Sequence, residues 1–183
     1  MAGMLLACTG ISGCSIISGT PDLTVDQALR KIDSSLDGVF GAINPRVKWR
    51  EGPGEMSMHE NSITREPDGT VGVHRTRYLR TKVSERNLDR MTAIVRKYLK
   101  GSGYELEEAV VRPHFVSAKS SDGLEVGFSA EEDGRISIGG SVDAKSPGGH
   151  GGDIEGEEGD TFPTAPNGSP DHRPDLRDPY WSK

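Results

Sequence analysis

Two helical apolar stripes, each followed by strand-like alternation, constrain this chain more than any other feature. From Val25 the apolar residues fall at Val25, Ala28, Leu29, Ile32, Leu36, Val39, Phe40 and Ile43. Spacings of three and four put them on one buried face of a helix. Thr24-Val25-Asp26-Gln27 has the capping-box pattern, a hydroxyl at the N-cap with a Gln three residues on. Gly38 and Gly41 weaken the last turns by about 1 kcal/mol each relative to alanine. Asn44-Pro45 ends the helix, because the residue before proline is pushed out of the α region. The second stripe is Leu88, Met91, Ile94, Val95, Tyr98 and Leu99, with Ser84 as its cap and Gly101 and Gly103 as its stop. Arg96, Lys97 and Lys100 crowd its last turn, where cations suit the helix dipole.

Around these helices the chain has the chemistry of antiparallel strands. Val47-Lys48-Trp49-Arg50 opens one strand, and Glu51-Gly52-Pro53-Gly54 reads as a turn or loop. Pro67-Asp68-Gly69 reads as a turn leading into a long strand over Val71 to Val83. One face of that strand carries Val71, Val73, Arg75, Arg77, Leu79, Thr81 and Val83; the other carries His74, Thr76, Tyr78, Arg80 and Lys82. Strands are also expected over Tyr104 to Val111, Phe115 to Lys119, Leu124 to Ala130 and Ile136 to Val142, with Asp122-Gly123 and Asp133-Gly134 as hairpin signals. The order αββαβββ predicts an α+β two-layer sandwich, an antiparallel sheet with both amphipathic helices on one face.

That domain spans 24–145. Beyond Lys145 the apolar periodicity stops, and residues 146–183 carry eight acidic and three basic side chains. This Gly-, Pro- and acid-rich segment is expected to be a disordered tail with a solvated Tyr180-Trp181 end. Its net charge of −5 leaves only −1 of the total −6 for the rest of the chain. A near-neutral body with 5% aromatic residues argues against nucleic-acid binding.

The sequence holds few catalytic signals. No Gly-x-Ser-x-Gly elbow, Ser-x-x-Lys, phosphate-binding glycine loop, His-Glu-x-x-His or paired Cys-x-x-Cys is present. Asp153-x-Glu155-x-Glu157-Glu158 has Glu158 and Thr164 where a calcium loop needs Gly and Glu. No metal or cofactor is therefore assigned. His59-Glu60 is the one candidate acid–base pair, since folding alone decides which carboxylates meet a histidine. Arg75, Arg77, Arg80 and Lys82 form the single cationic cluster of the body. A solvated strand face is the plain reading of that cluster, and contact with anionic lipid or wall polymer is the functional one.

The N-terminus supplies an address. Met4 to Ile11 is an uncharged, mostly apolar run, too short for a bilayer span of about 20 residues and suited to the h-region of a secretory signal. Ile11-Ser12-Gly13-Cys14 resembles the bacterial lipobox, in which the cysteine is diacylated and becomes the first residue after cleavage. The resemblance implies a signal peptide over 1–13, a lipid on Cys14 and a tether over 14–23. The leader contains no Lys or Arg, so either the true start lies upstream of Met1 or this is not a signal; the plain alternative is an apolar N-terminal strand or a frayed end. Cys8 and Cys14 are the only cysteines, and a processed chain would keep no thiol pair for a disulfide or a thiolate metal site.

A second resemblance lies in Gly101-Ser102-Gly103-Tyr104, Lys119-Ser120-Ser121-Asp122-Gly123-Leu124 and Gly134-Arg135-Ile136-Ser137-Ile138. These segments are similar to small exported lipoproteins of actinobacteria, and they imply envelope localisation and fold without a reaction. The reading that results is a lipid-anchored, extracytoplasmic, non-catalytic binding or accessory module at the outer face of the cell membrane. Its partner would be an envelope protein or an anionic polymer. The alternatives are a small surface hydrolase using carboxylates or His59, and a passive spacer.

Overall fold

The computed structural model describes residues 22–107, 112–146, 151–154 and 162–183. Helix α1 spans Val25–Ala42 and α2 spans Glu85–Gly101. The strands are β1 Trp49–Glu60, β2 Pro67–Leu79, β3 Glu105–Leu106, β4 Phe115–Lys119, β5 Glu125–Ala130, β6 Ile136–Lys145 and β7 Gly152–Ile154. They form one sheet in the order β3-β4-β5-β6-β2-β1-β7, and every neighbouring pair is antiparallel. The architecture is the expected α+β one. Both helices pack on one face of an open antiparallel sheet, and their stripes share one core with it.

Each helix is held as its sequence dictates. The Thr24 hydroxyl accepts from the Gln27 backbone N–H, and the Gln27 side chain accepts in return from the Thr24 N–H. The stripe Ala28, Ile32, Leu36, Val39 and Phe40 is buried, and so are Met91, Val95 and Leu99 of α2. Two glycines have packing reasons. A Cβ on Gly38 would collide with the Tyr98 ring of α2, and a Cβ on Gly140 would lie 2.9 Å from Ile32 Cγ2. Gly38 therefore serves the helix–helix contact rather than merely weakening α1.

Four local expectations are corrected. Glu51-Gly52-Pro53-Gly54 is no turn but part of the twelve-residue β1, where the ladder to β2 shifts register between Glu51 and Gly54. A bulge there accommodates Pro53, which has no N–H to give a ladder. The β1–β2 hairpin turns earlier than Pro67, at Asn61 to Glu66, where the Asn61 side chain accepts from the N–H groups of Ile63 and Thr64. Asp68-Gly69 instead lies inside β2, which ends at Leu79 rather than Val83. Of the strand expected over Tyr104 to Val111, Glu105–Leu106 is formed, and residues 108–111 lie outside the described residues.

The fourth correction concerns the tail. Gly152–Ile154 pairs with β1, and residues 162–183 return across the body. Trp181 is fully buried, and its indole N–H donates to the Pro45 carbonyl at 2.8 Å. Asp178 Oδ1 accepts from the N–H groups of Tyr180 and Trp181, which turns the chain inward. Asn87 of α2 donates to the carbonyls of Tyr180 and Trp181. The Ser84 hydroxyl donates to the Lys183 carbonyl instead of capping α2. Composition misleads here because one indole with a satisfied N–H can anchor a segment whose other residues are polar. The leader and tether as far as Pro21, and the acidic residues 155–160, lie outside the described residues.

Trp181→Ala is expected to destabilise the domain by about 3–5 kcal/mol in urea or guanidinium unfolding, as for a buried aromatic. An unchanged midpoint would show that the C-terminal segment does not dock.

Candidate functional site

The two faces of the sheet differ in kind. Alternation along β2 directs Val71, Val73, Arg75, Arg77 and Leu79 toward the helices, and all five are buried. Arg75 and Arg77 retain only 6% and 4% of their exposure. Arg75 donates to Asp33 at 2.8 Å and to Glu51 at 3.0 Å; Arg77 donates to Asp37 at 2.6 Å. Asp33 and Asp37 stand one turn apart on α1, and the Arg77 guanidinium lies 4.2 Å from the centre of the Trp49 ring. Burial pushes the Glu51 carboxyl above its ordinary value, the two guanidiniums opposing this and the Asp33 carboxylate adding to it. Arg75 Nε and Arg77 Nε find no acceptor among the described residues.

The proposed cationic surface is thus not assembled. Arg75 and Arg77 are interior ion-pair partners. Arg80 donates twice to Asp175 of the C-terminal segment, whose carboxyl those bonds hold below its ordinary value. Lys82 is exposed but stands apart from the two buried arginines. Alternation already carried the signal, since it places both arginines on the face of Val71 and Leu79. The partners Asp33 and Asp37 flank the buried Ile32 and Leu36 on α1.

Among the described residues no helix lies over the opposite face of the sheet. At one end the C-terminal segment covers it. His172 stacks on Tyr78 at 4.1 Å between ring centres, Phe162 meets both rings edge-on, and the buried Arg50 pairs with Asp175 at 3.1 Å. Elsewhere the middle of the face is small and polar, and a neighbouring row carries Lys119, Glu125, Ser141 and His74. Register places Ser117, Gly127, Gly139 and Thr76 in one cross-strand row, with Ser129 and Ser137 in the next. A shallow depression of about 320 Å³ lies over them.

His59 also falls on this face, but away from Glu60 as a partner. Its Nε2 lies 3.4 Å from Asp143 Oδ1, whereas His74 Nε2 is hydrogen-bonded to Ser57 Oγ at 3.1 Å. A nucleophile–base–carboxylate relay needs one imidazole touching both hydroxyl and carboxylate. Here the two contacts are divided between two histidines, so neither ring completes the relay.

A larger cleft of about 830 Å³ lies between the start of α2, Pro113-His114 and the β5–β6 turn. His114 Nε2 is 2.8 Å from Glu85 Oε1, and its Nδ1 is 3.7 Å from Asp89. Glu131, Glu132 and Arg135 also line the cleft, and among the described residues no serine, threonine, lysine or tyrosine does. Nothing in the sequence around His114 marked it. Its partner lies 29 residues away, a contact only the fold creates.

Among the described residues no group of three or more histidines, cysteines or carboxylates is placed to hold a metal ion. No helix among them is long and apolar enough to cross a membrane. No protein-family model matches the chain, and neither does any curated protein or solved structure.

Two outcomes test the buried network. Arg75→Leu strands carboxylates in the interior and is expected to cost about 3–5 kcal/mol of unfolding free energy. A change below 1 kcal/mol would refute that role. Glu51 binds its proton more tightly folded than unfolded, so its contribution is fully present below its ordinary value of 4.5 and is lost as pH rises through its raised folded value. Glu51→Gln is expected to remove that decline from the stability–pH curve above pH 4.5, read from denaturation midpoints across the acid range.

Proposed function

We propose that this protein is a lipid-anchored, non-catalytic binding module held at the outer face of the cell membrane through Cys14. One observation carries the binding reading: among the described residues no helix covers the outer sheet face, whose middle rows are small and polar, while the catalytic pairs that could form are divided between His59 and His74. The address rests on Ile11-Ser12-Gly13-Cys14. Residues 15–21 separate that cysteine from the start of the described fold, a tether of at most ~25 Å. Two acyl chains would hold such a protein stably, where one would bind marginally.

A small hydrolase working through carboxylates is the second reading. It is favoured by one feature, the His114–Glu85 contact at the wall of the large cleft. Such an enzyme would cleave a panel of chromogenic esters or glycosides and lose that activity in His114→Ala.

Mass spectrometry of the membrane fraction tests the anchor. The mature chain is expected to begin at Cys14 with a diacylglyceryl mass, and Cys14→Ser is expected to abolish the modification. A chain beginning at Met1 with unmodified Cys14 would overturn the address.

A further inference from the structure

We propose that His59 and His74 together bind one divalent transition-metal ion, held between their Nε2 atoms over the bare backbone of Gly72 on the outer face of the sheet. The inference rests on the non-catalytic binding reading and names its ligand.

Strand pairing brings the two rings together. On β1, Ser57 stands opposite Gly72 and Glu55 opposite His74; on β6, Asp143 stands opposite Gly72 from the other side. A glycine inside a strand weakens it and often marks a close approach. Here the approach is made by two imidazoles. A Cβ on Gly72 would lie 3.2 Å from His59 Nε2 and 3.1 Å from His74 Nε2. Both nitrogens therefore converge on one point, and the sum of those distances caps their separation at about 6.3 Å. Any side chain at position 72 would stand between them; glycine leaves that space open.

The contacts these nitrogens now make are ones an ion replaces. His59 Nε2 faces Asp143 Oδ1 at 3.4 Å, and His74 Nε2 faces Ser57 Oγ at 3.1 Å. A bridging ion takes each ring in its neutral form with the proton on Nδ1, and any proton on Nε2 leaves to solvent. Metal–nitrogen bonds of about 2.0–2.1 Å need the nitrogens within about 4.2 Å, so the two ring tips swing toward each other across Gly72. Two imidazoles define the site and water completes it, while Asp143 stays beside His59 as its charge-compensating neighbour.

The field around the pair suits a cation. Asp143 and Glu55 flank it by register. Bonds from Thr70 and, more weakly, the charge of His59 hold the Asp68 carboxyl below its ordinary value, so a third carboxylate stands near. Lys145, opposite Thr70 on β6, is bonded to Asp22 at 3.2 Å. Imidazole ligands select Zn²⁺, Cu²⁺ or Ni²⁺ over Mg²⁺ and Ca²⁺, which prefer all-oxygen sites.

The test uses the full chain carrying Cys8→Ser and Cys14→Ser, which removes the two thiols that would compete for the ion. Zn²⁺ titrated into nitrogen-15-labelled protein is expected to move the ring nitrogens of His59 and His74 together, saturating at one ion per chain. Mg²⁺ and Ca²⁺ are expected to move neither. His59→Ala and His74→Ala are each expected to weaken binding at the remaining ring by roughly tenfold or more. Gly72→Ala keeps both ligands and fills the space between them, and is expected to weaken binding by a similar factor. His114→Ala is expected to leave it unchanged, and the urea midpoint of each variant reports that the fold is kept. Zn²⁺ that moves neither ring, or moves the two at different concentrations, would overturn the proposal, and so would undiminished binding by a folded Gly72→Ala. Because the titrated chain lacks Cys14, a negative result would leave the Cys14 mass, and the anchoring it reports, to stand or fall separately.

Discussion

The contact on which the architecture turns is the ionic bridge from α1 to the centre of the sheet, Arg75 and Arg77 against Asp33, Asp37 and Glu51. Apolar burial is non-directional, and the stripe of α1 could slide along the face of β2 and β6 at little cost. Two guanidiniums fixed on β2, two residues apart, and two carboxylates fixed on α1, one turn apart, are satisfied together in one register. The arrangement is costly as well as specifying, because buried charges lose hydration that their pairing only partly returns. Asp37 keeps 68% of its side-chain exposure, so the network drains toward solvent at one end. Glu51, deeper in, shows the cost in its raised affinity for a proton.

Much of this was legible in the sequence, for reasons that can be named. The capping box at Thr24, both apolar stripes and the Asp-Gly turns at Gly123 and Gly134 are local signals, and each holds locally. Gly123 and Gly134 adopt φ of 84° and 87°, the left-handed backbone such turns require. What failed was judgement by residue type where position decided. Arg75 and Arg77 look like surface cations by composition and like core residues by alternation, and alternation prevailed because α1 supplies carboxylates at matching height. Gly52-Pro53 looks like a turn by type, yet a bulge absorbs both residues and the strand continues. The candidate site was less legible, since Ser57–His74, His59–Asp143 and His114–Glu85 each join separate elements and no spacing along the chain encodes them.

The C-terminal segment shows how few residues a docking needs. Between 162 and 183 the anchoring contacts are Trp181 in the core, Asp175 between Arg50 and Arg80, and His172 on Tyr78. Burial, with the positive charge of Arg135, pushes His172 toward its neutral form, which suits a ring stacked on a phenol. Backbone bonds between Arg80, Lys82 and residues 175–176 tie the segment to the connection that leads into α2. A polar, proline-rich sequence thus acts as a strap because its anchors are spaced to reach sites that the rest of the fold has already built.

That strap also divides the outer face of the sheet. The aromatic cluster and Asp175 close the end where Tyr78 and Arg50 lie, and they stop short of the Ser, Thr and Gly rows. The closed end contains the groups that would be costly to leave bare, a large phenol and a cation with a buried Nε. The rows left open contain small neutral groups, which water solvates without strain. Covering a sheet to protect its core would favour large apolar side chains on the second face and a second layer over them. Stability alone would favour β-branched residues there. The open rows follow neither pattern: around Gly127 they carry small hydroxyl side chains, with Ser129 and Ser137 bonded to each other at 3.2 Å and Ser117 donating to Glu107 at 2.7 Å.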